Sequence, residues 1–185
     1  MVFALSRLLF LGVGAVASAA LPWAEPAGDP VEQPGLLSYW AHWDGAWYTE
    51  IAAAGYIARA PESTAFFPVF PMIMRVGSIL RGGPALWGVL VSLVATSFAL
   101  YFLYRIAEKF RDKNVARATT CAFAFFPTAF YLNAPFTEAL FVALGAGSFW
   151  AAYVRRDLLL AGLLGALAAA TRNSGLLLLI PLGYE

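Results

Sequence analysis

From Pro84 to Tyr104 the chain runs without a single Asp, Glu, Lys or Arg. At about 1.5 Å of rise per residue, such a run is as long as the roughly 30 Å hydrocarbon core of a bilayer is thick. Lipid offers backbone N–H and C=O groups no partner, so a spanning segment must be a helix or a strand of a closed barrel. Barrel strands would show ten-residue segments of alternating polarity, and none occurs here. The expected fold class is therefore all-α, a polytopic membrane helical bundle. Composition agrees: of 185 residues 61% are hydrophobic and 12% charged, against about 25% charged in a typical soluble domain. The net charge of +1 is uninformative about nucleic acid, no basic tract supports it, and no nucleic-acid partner is expected. One cysteine, Cys121, and one histidine, His42, rule out a disulfide framework or a His/Cys metal cluster. No paired-aspartate motif for a divalent ion appears, and no cofactor is implied.

The chain reads as a single transmembrane domain. Residues 3–21 form a first apolar segment with Arg7 near its start. It is long enough for an anchor, while Ala17-Ser18-Ala19 resembles a cleavage site; the anchor is favoured because further spans follow. Residues 22–83 form an outer loop rich in acids, with Arg59 its lone cation before residue 64. Within it, Leu36 to Ala54 lacks proline, and Trp40, Trp43, Trp47 and Ile51 recur at helical spacing. That pattern predicts an amphipathic helix in the membrane interface. Phe66 to Leu80, broken by Pro68, Pro71 and Arg75, is expected to be re-entrant or interfacial.

Further spans are expected at residues 84–104, 118–133 with a kink at Pro127, and 138–154. A fifth span and the start of the next occupy residues 158–182. The loop from Arg105 to Arg117 is the most basic, so the positive-inside rule places it in the cytoplasm. Asp44, Glu138 and Arg172 then fall at the opposite, outer face. From Leu158, Arg172 lies about 21 Å along a helix, near headgroup depth. Three polar groups at one face predict a shared site, although polar groups at span ends are also ordinary. The abrupt stop at Glu185 reads as the N-terminal half of a longer protein.

Trp43-Asp44-Gly45-Ala46-Trp47-Tyr48, with Gly55-Tyr56 beyond it, resembles the first-loop motif of the PIG-V family, the GPI mannosyltransferase 2 proteins and their bacterial relatives. Three further pieces follow in the family's order. They are Phe66-Phe67-Pro68-Val69-Phe70-Pro71, Pro135-Phe136-Thr137-Glu138-Ala139-Leu140-Phe141 and Thr171-Arg172-Asn173-Ser174-Gly175. His42 stands where the family often has arginine, and Asn173 where it often has proline.

The resemblance implies a GT-C membrane glycosyltransferase fold. It also implies transfer of mannose from polyprenyl-phosphate-mannose to an acceptor hydroxyl outside the cytoplasm, in a bacterial plasma membrane. The partners would be membrane lipid, the polyprenyl-phosphate sugar donor and a glycan or glycolipid acceptor.

An acceptor hydroxyl needs a base during attack, and a phosphate leaves as an anion without a strong acid. One carboxylate then suffices, where hydrolysis of a glycosidic bond needs two. Asp44 is the candidate catalytic base. Arg172 is the candidate for the donor phosphate, since its planar fork matches phosphate oxygens. Glu138 would orient the acceptor or pair with Arg172, and His42, Trp43 and Tyr48 would contact substrate. Each residue also has a plainer role: a cap for Asp44, a snorkelling cation for Arg172, a helix-dipole partner for Glu138 and interface anchors for the rest. Two other classes stay open, a polytopic lipid transporter and a non-catalytic membrane subunit. Polar groups gathered at one face rather than at mid-membrane favour the enzyme.

Overall fold

The computed structural model describes residues 1–20, 40–56 and 61–183. All regular structure among them is helical. The α-helices are α1 (Val2–Ala20), α2 (Asp44–Ala54), α3 (Val69–Ser78), α4 (Gly83–Phe110), α5 (Lys113–Ala124), α6 (Thr137–Phe149), α7 (Leu158–Ala169) and α8 (Leu179–Gly183). Short 3-10 segments at Pro61–Ala65, Pro127–Leu132 and Asn173–Leu178, and a π-helical turn at Trp150–Arg155, link them. Among the described residues two helices are long and apolar enough to cross a membrane, α1 with 19 residues and α4 with 28.

The central helix is α4, which packs against α2, α3, α5 and α6. Its contact with α6 is made of small side chains, Ala95 and Ala99 against Ala139 and Ala143. Small residues let helix backbones approach closely where burial alone gives no driving force. On α7, Ala161 packs against Ala151 and Ala152, and its carbonyl accepts a 2.7 Å hydrogen bond from Ser148. The faces turned away from these contacts remain apolar: Val94 and Phe98 on α4 and Leu159 and Leu163 on α7 are all more than half exposed.

The boundaries have local causes. Gly82 holds the left-handed φ of 94° that starts α4, with proline in the first turn. Asp112 starts α5 by accepting N–H bonds from Asn114 and Val115 at 2.7 and 2.9 Å. The apolar run 118–133 is divided: α5 stops at Ala124, and Phe126 turns extended (φ −59°, ψ 141°) ahead of Pro127. A residue before proline is pushed out of the α region by the proline ring. The run 158–182 is also divided, at Ala170 to Arg172. There Gly175 lies against backbone, and a Cβ on it would come within 2.4 Å of the Ala169 nitrogen.

The interfacial helix expected over Leu36–Ala54 differs from what is found. Residues 36–39 lie outside the described residues, and α2 begins only at Asp44. Trp43 adopts φ 51° and ψ −126°, so Trp40 and Trp43 do not continue the helix. Nor does α2 bury only a narrow stripe. It buries Gly45, Ala46, Tyr48, Thr49, Ile51 and Ala52, because it is wedged against both α3 and α4.

Candidate active site

Asp44 opens α2, Glu138 is the second residue of α6, and Arg172 follows α7 on an extended backbone (φ −152°, ψ 143°). The first two helix starts are brought together by Pro135. It is fully buried and seats against glycines on two helices. A Cβ at Gly88 of α4 would lie 2.3 Å from the Pro135 Cβ, and one at Gly45 of α2 would lie 3.2 Å from its Cγ. The turn carrying Pro135 is pinned to α4 as well. Ser92 Oγ donates to the Ala134 carbonyl at 2.6 Å, and Thr96 Oγ1 donates to that of Leu132 at 3.1 Å. Thr137 and Glu138 leave this turn directly into α6.

Arg172 meets them from the far side. Its Nη1 donates to Glu138 Oε1 and makes a longer 3.4 Å contact with Thr137 Oγ1. The ion pair is open to the surface, with the arginine side chain 39% and the glutamate 35% exposed. The second Glu138 oxygen, Oε2, is buried without a hydrogen-bond partner among the described residues. Tyr48 completes the floor. Its ring is held edge-on by Phe66 and Phe70 at 5.1 and 5.3 Å between centroids.

Burial pushes the Tyr48 phenol up to about 12, and the Asp44 and Glu138 charges add to this against a Thr137 hydrogen bond and Arg172. Asp44 lies at the surface with its carboxyl partly withdrawn from water. That desolvation, then the like charge of Glu138, raises its pKa above the ordinary carboxylate value, while Arg172 opposes them. The cluster therefore offers a carboxylate with heightened proton affinity beside a cation whose charge is only half committed.

Of the six residues singled out from sequence, the structure gathers Asp44, Tyr48, Glu138 and Arg172. His42 is tied to the site through its backbone, its carbonyl accepting the Gly45 N–H at 2.9 Å. Trp43 stands 58% exposed beside Asp44 on its left-handed backbone. A bulky side chain seldom adopts that conformation without surrounding structure to hold it. Trp47 and Tyr56 serve the fold: Trp47 stacks on Phe66 at 5.7 Å, and the Tyr56 hydroxyl donates to the Phe66 carbonyl at 2.9 Å. Thr137 had no role assigned from sequence, yet it links Tyr48 to Arg172. Among the described residues no group of three or more His, Cys, Asp or Glu could hold a metal ion.

Two similar proteins are mannosyltransferases by name. The chain is similar to GPI mannosyltransferase 2 of Cryptococcus neoformans var. neoformans serotype D (strain B-3501A), with 27% identity over 185 residues, covering 93% of this chain and 42% of the relative. It is similar also to GPI mannosyltransferase 2 of Schizosaccharomyces pombe (strain 972 / ATCC 24843), with 24% identity over 190 residues, covering 94% and 40%. The chain thus spans less than half the length of these relatives. No solved structure matches it. The family described as Mannosyltransferase (PIG-V) matches residues 30–182, an interval that contains Asp44, Tyr48, Thr137, Glu138 and Arg172. The resemblance carried by the four motifs is borne out: the chain belongs to the mannosyltransferase (PIG-V) family.

Proposed function

We propose that this chain carries the acceptor-activating side of a multi-pass membrane mannosyltransferase of GT-C type, using polyprenyl-phosphate-mannose and working on the extracytoplasmic face. The acceptor is a glycan or glycolipid hydroxyl. What supports the reading above all is the convergence of Asp44, Glu138 and Arg172 from three separate segments of a PIG-V family chain.

The chemistry is a single displacement. The acceptor oxygen forms a bond to the anomeric carbon of mannose as the bond from that carbon to the phosphate oxygen breaks. The acceptor proton passes to the Asp44 carboxylate, and polyprenyl phosphate departs with the electron pair. Asp44 suits the task because its raised pKa brings it closer to the operating pH, where a general base is most effective. Arg172 offsets the charge of the departing phosphate. A surface ion pair is worth only about 0–1 kcal/mol, so its bond to Glu138 yields easily to a phosphate. Glu138, once released, can accept a second hydroxyl of the acceptor.

The test uses full-length protein, radiolabelled polyprenyl-phosphate-mannose and a membrane lipid extract as acceptor. Asp44→Asn keeps the size of the side chain and removes the base. Its kcat should fall about 10²- to 10⁴-fold, the usual contribution of a positioned base, with the heat midpoint little changed. Equal transfer by both proteins refutes the role of Asp44. A wild type that transfers mannose from no polyprenyl-phosphate donor refutes the reaction.

A further inference from the structure

Arg7 has no part in the chemistry above, yet it is the most deeply buried charge described. On α1, in an apolar helix, its residue is 2% exposed. A guanidinium in such a place is costly unless its donors are satisfied. Here they are, and by neutral groups. Nη2 donates to the Ala124 carbonyl at 2.8 Å; Nη1 donates to the Ala129 carbonyl at 2.9 Å and to Asn133 Oδ1 at 2.6 Å. Nε donates to Ser6 Oγ at 3.2 Å, and Asn133 Nδ2 returns a bond to the Arg7 carbonyl at 3.1 Å. Ala124 ends α5, so its carbonyl lies among those left without a helical partner and carries the negative end of the helix dipole.

We propose that Arg7 is a positioning residue for the transfer site, setting the Asn133–Pro135 turn and through it both Glu138 and the start of α2. The proposal rests on the mannosyl-transfer reading. Three of the Arg7 partners, Ala124, Ala129 and Asn133, are successive points on the one strand of chain that leads into Pro135, Thr137 and Glu138. Pro135 in turn sets the approach of Gly45, the neighbour of Asp44. Ser92 and Thr96 hold this turn from α4 on one side; Arg7 holds it from α1 on the other. Mere attachment of α1 to α5 would not call for a charge, since apolar side chains pack without the desolvation cost. A planar fork does what they cannot, reaching acceptors in different directions from one rigid plane.

Four full-length proteins test this: wild type, Arg7→Lys, Arg7→Met and the double variant Arg7→Met with Asn133→Leu. Each is measured for amide hydrogen exchange at residues 133–138, for heat midpoint, and for kcat and KM with polyprenyl-phosphate-mannose and a membrane lipid extract. Arg7→Lys should raise exchange in that segment at least about tenfold and lower kcat about 10- to 100-fold, the scale of an ångström's misplacement. Its donor KM should change less than about threefold. The double variant also removes Asn133, one of the polar partners that Arg7→Met leaves unpaired, so it should recover part of the heat midpoint but leave kcat low. Recovery of both by the double variant makes Arg7 a stability element and overturns the proposal. So does wild-type exchange in Arg7→Lys. If wild type shows no transfer, the reaction assigned above fails, and the exchange data then decide the clamp by themselves.

Discussion

Two arginines, Arg7 and Arg172, each reach across the fold to the stretch that runs from the end of α5 to the first turn of α6, and they do so in opposite ways. Arg172 sits outside any helix, its side chain 39% exposed, bonded to a carboxylate and a hydroxyl. Arg7 sits within α1, 2% exposed, bonded to two backbone carbonyls, a serine hydroxyl and an amide. The charged partner is thus found where water competes, and neutral partners where it does not. An exposed pair contributes about 1 kcal/mol or less. A buried polar atom that loses its partner costs about 1–3 kcal/mol, and there are several around Arg7. One arginine is therefore held loosely enough to exchange partners, as the proposed reaction requires, while the other is held by the fold itself.

The sharpest way to break this contrast is to remove each cation and compare stability with turnover. Arg172→Met should lower transfer about 100-fold at low donor concentration, since charge-assisted bonds to phosphate are among the stronger hydrogen bonds. It should shift the heat midpoint by no more than about 4 °C, the equivalent of about 1 kcal/mol for a chain of this size. Arg7→Met should cost at least twice that shift. Equal losses of stability in the two variants would erase the distinction.

A smaller effect follows from charge alone. As the proposed base, Asp44 would have to be ionised to act, so transfer should fall as pH drops through its raised pKa. Glu138→Gln removes a cause that raises that pKa, and the acid limb should move to lower pH. Arg172→Met removes the cause that lowers it, and the limb should move to higher pH. Limbs that stay in place in both variants would mean that the titrating group is not Asp44.

Sequence reasoning reached Asp44, Glu138 and Arg172 because polar groups in an apolar chain are costly and therefore conspicuous. It reached the helical class for the same reason, since apolar runs of that length leave few ways to satisfy a backbone. The start of α2 was illegible. The spacing of Trp40, Trp43 and Trp47 is helical, but Trp40 instead packs so closely on α1 that a Cβ at Gly14 would lie 2.4 Å from its ring. That tertiary contact outweighs the local pattern. Thr137 was silent because its role depends on Tyr48 and Arg172, both distant in sequence. Arg7 did leave a signal, as a charge inside an apolar run. Its partners did not, because a backbone carbonyl looks the same at every position.

Tyr48→Phe should have the smallest effect, and it separates positioning from chemistry within the open cluster. With its phenol pushed up to about 12 by burial, Tyr48 stays protonated at any pH near neutrality. It cannot then serve as the base, although it lies beside Asp44. Its work is the hydrogen bond with Thr137, which in turn contacts Arg172. Loss of one such bond is worth about 1 kcal/mol, so kcat should fall about twofold to tenfold with the pH profile unmoved. The aromatic packing against Phe66 and Phe70 survives the substitution, so the fold should hold. A loss beyond about 100-fold, or an acid limb that disappears, would transfer the proton-accepting role away from Asp44. The raised phenol pKa opposes that outcome, because a base that is almost never ionised is present in too small a fraction to carry turnover.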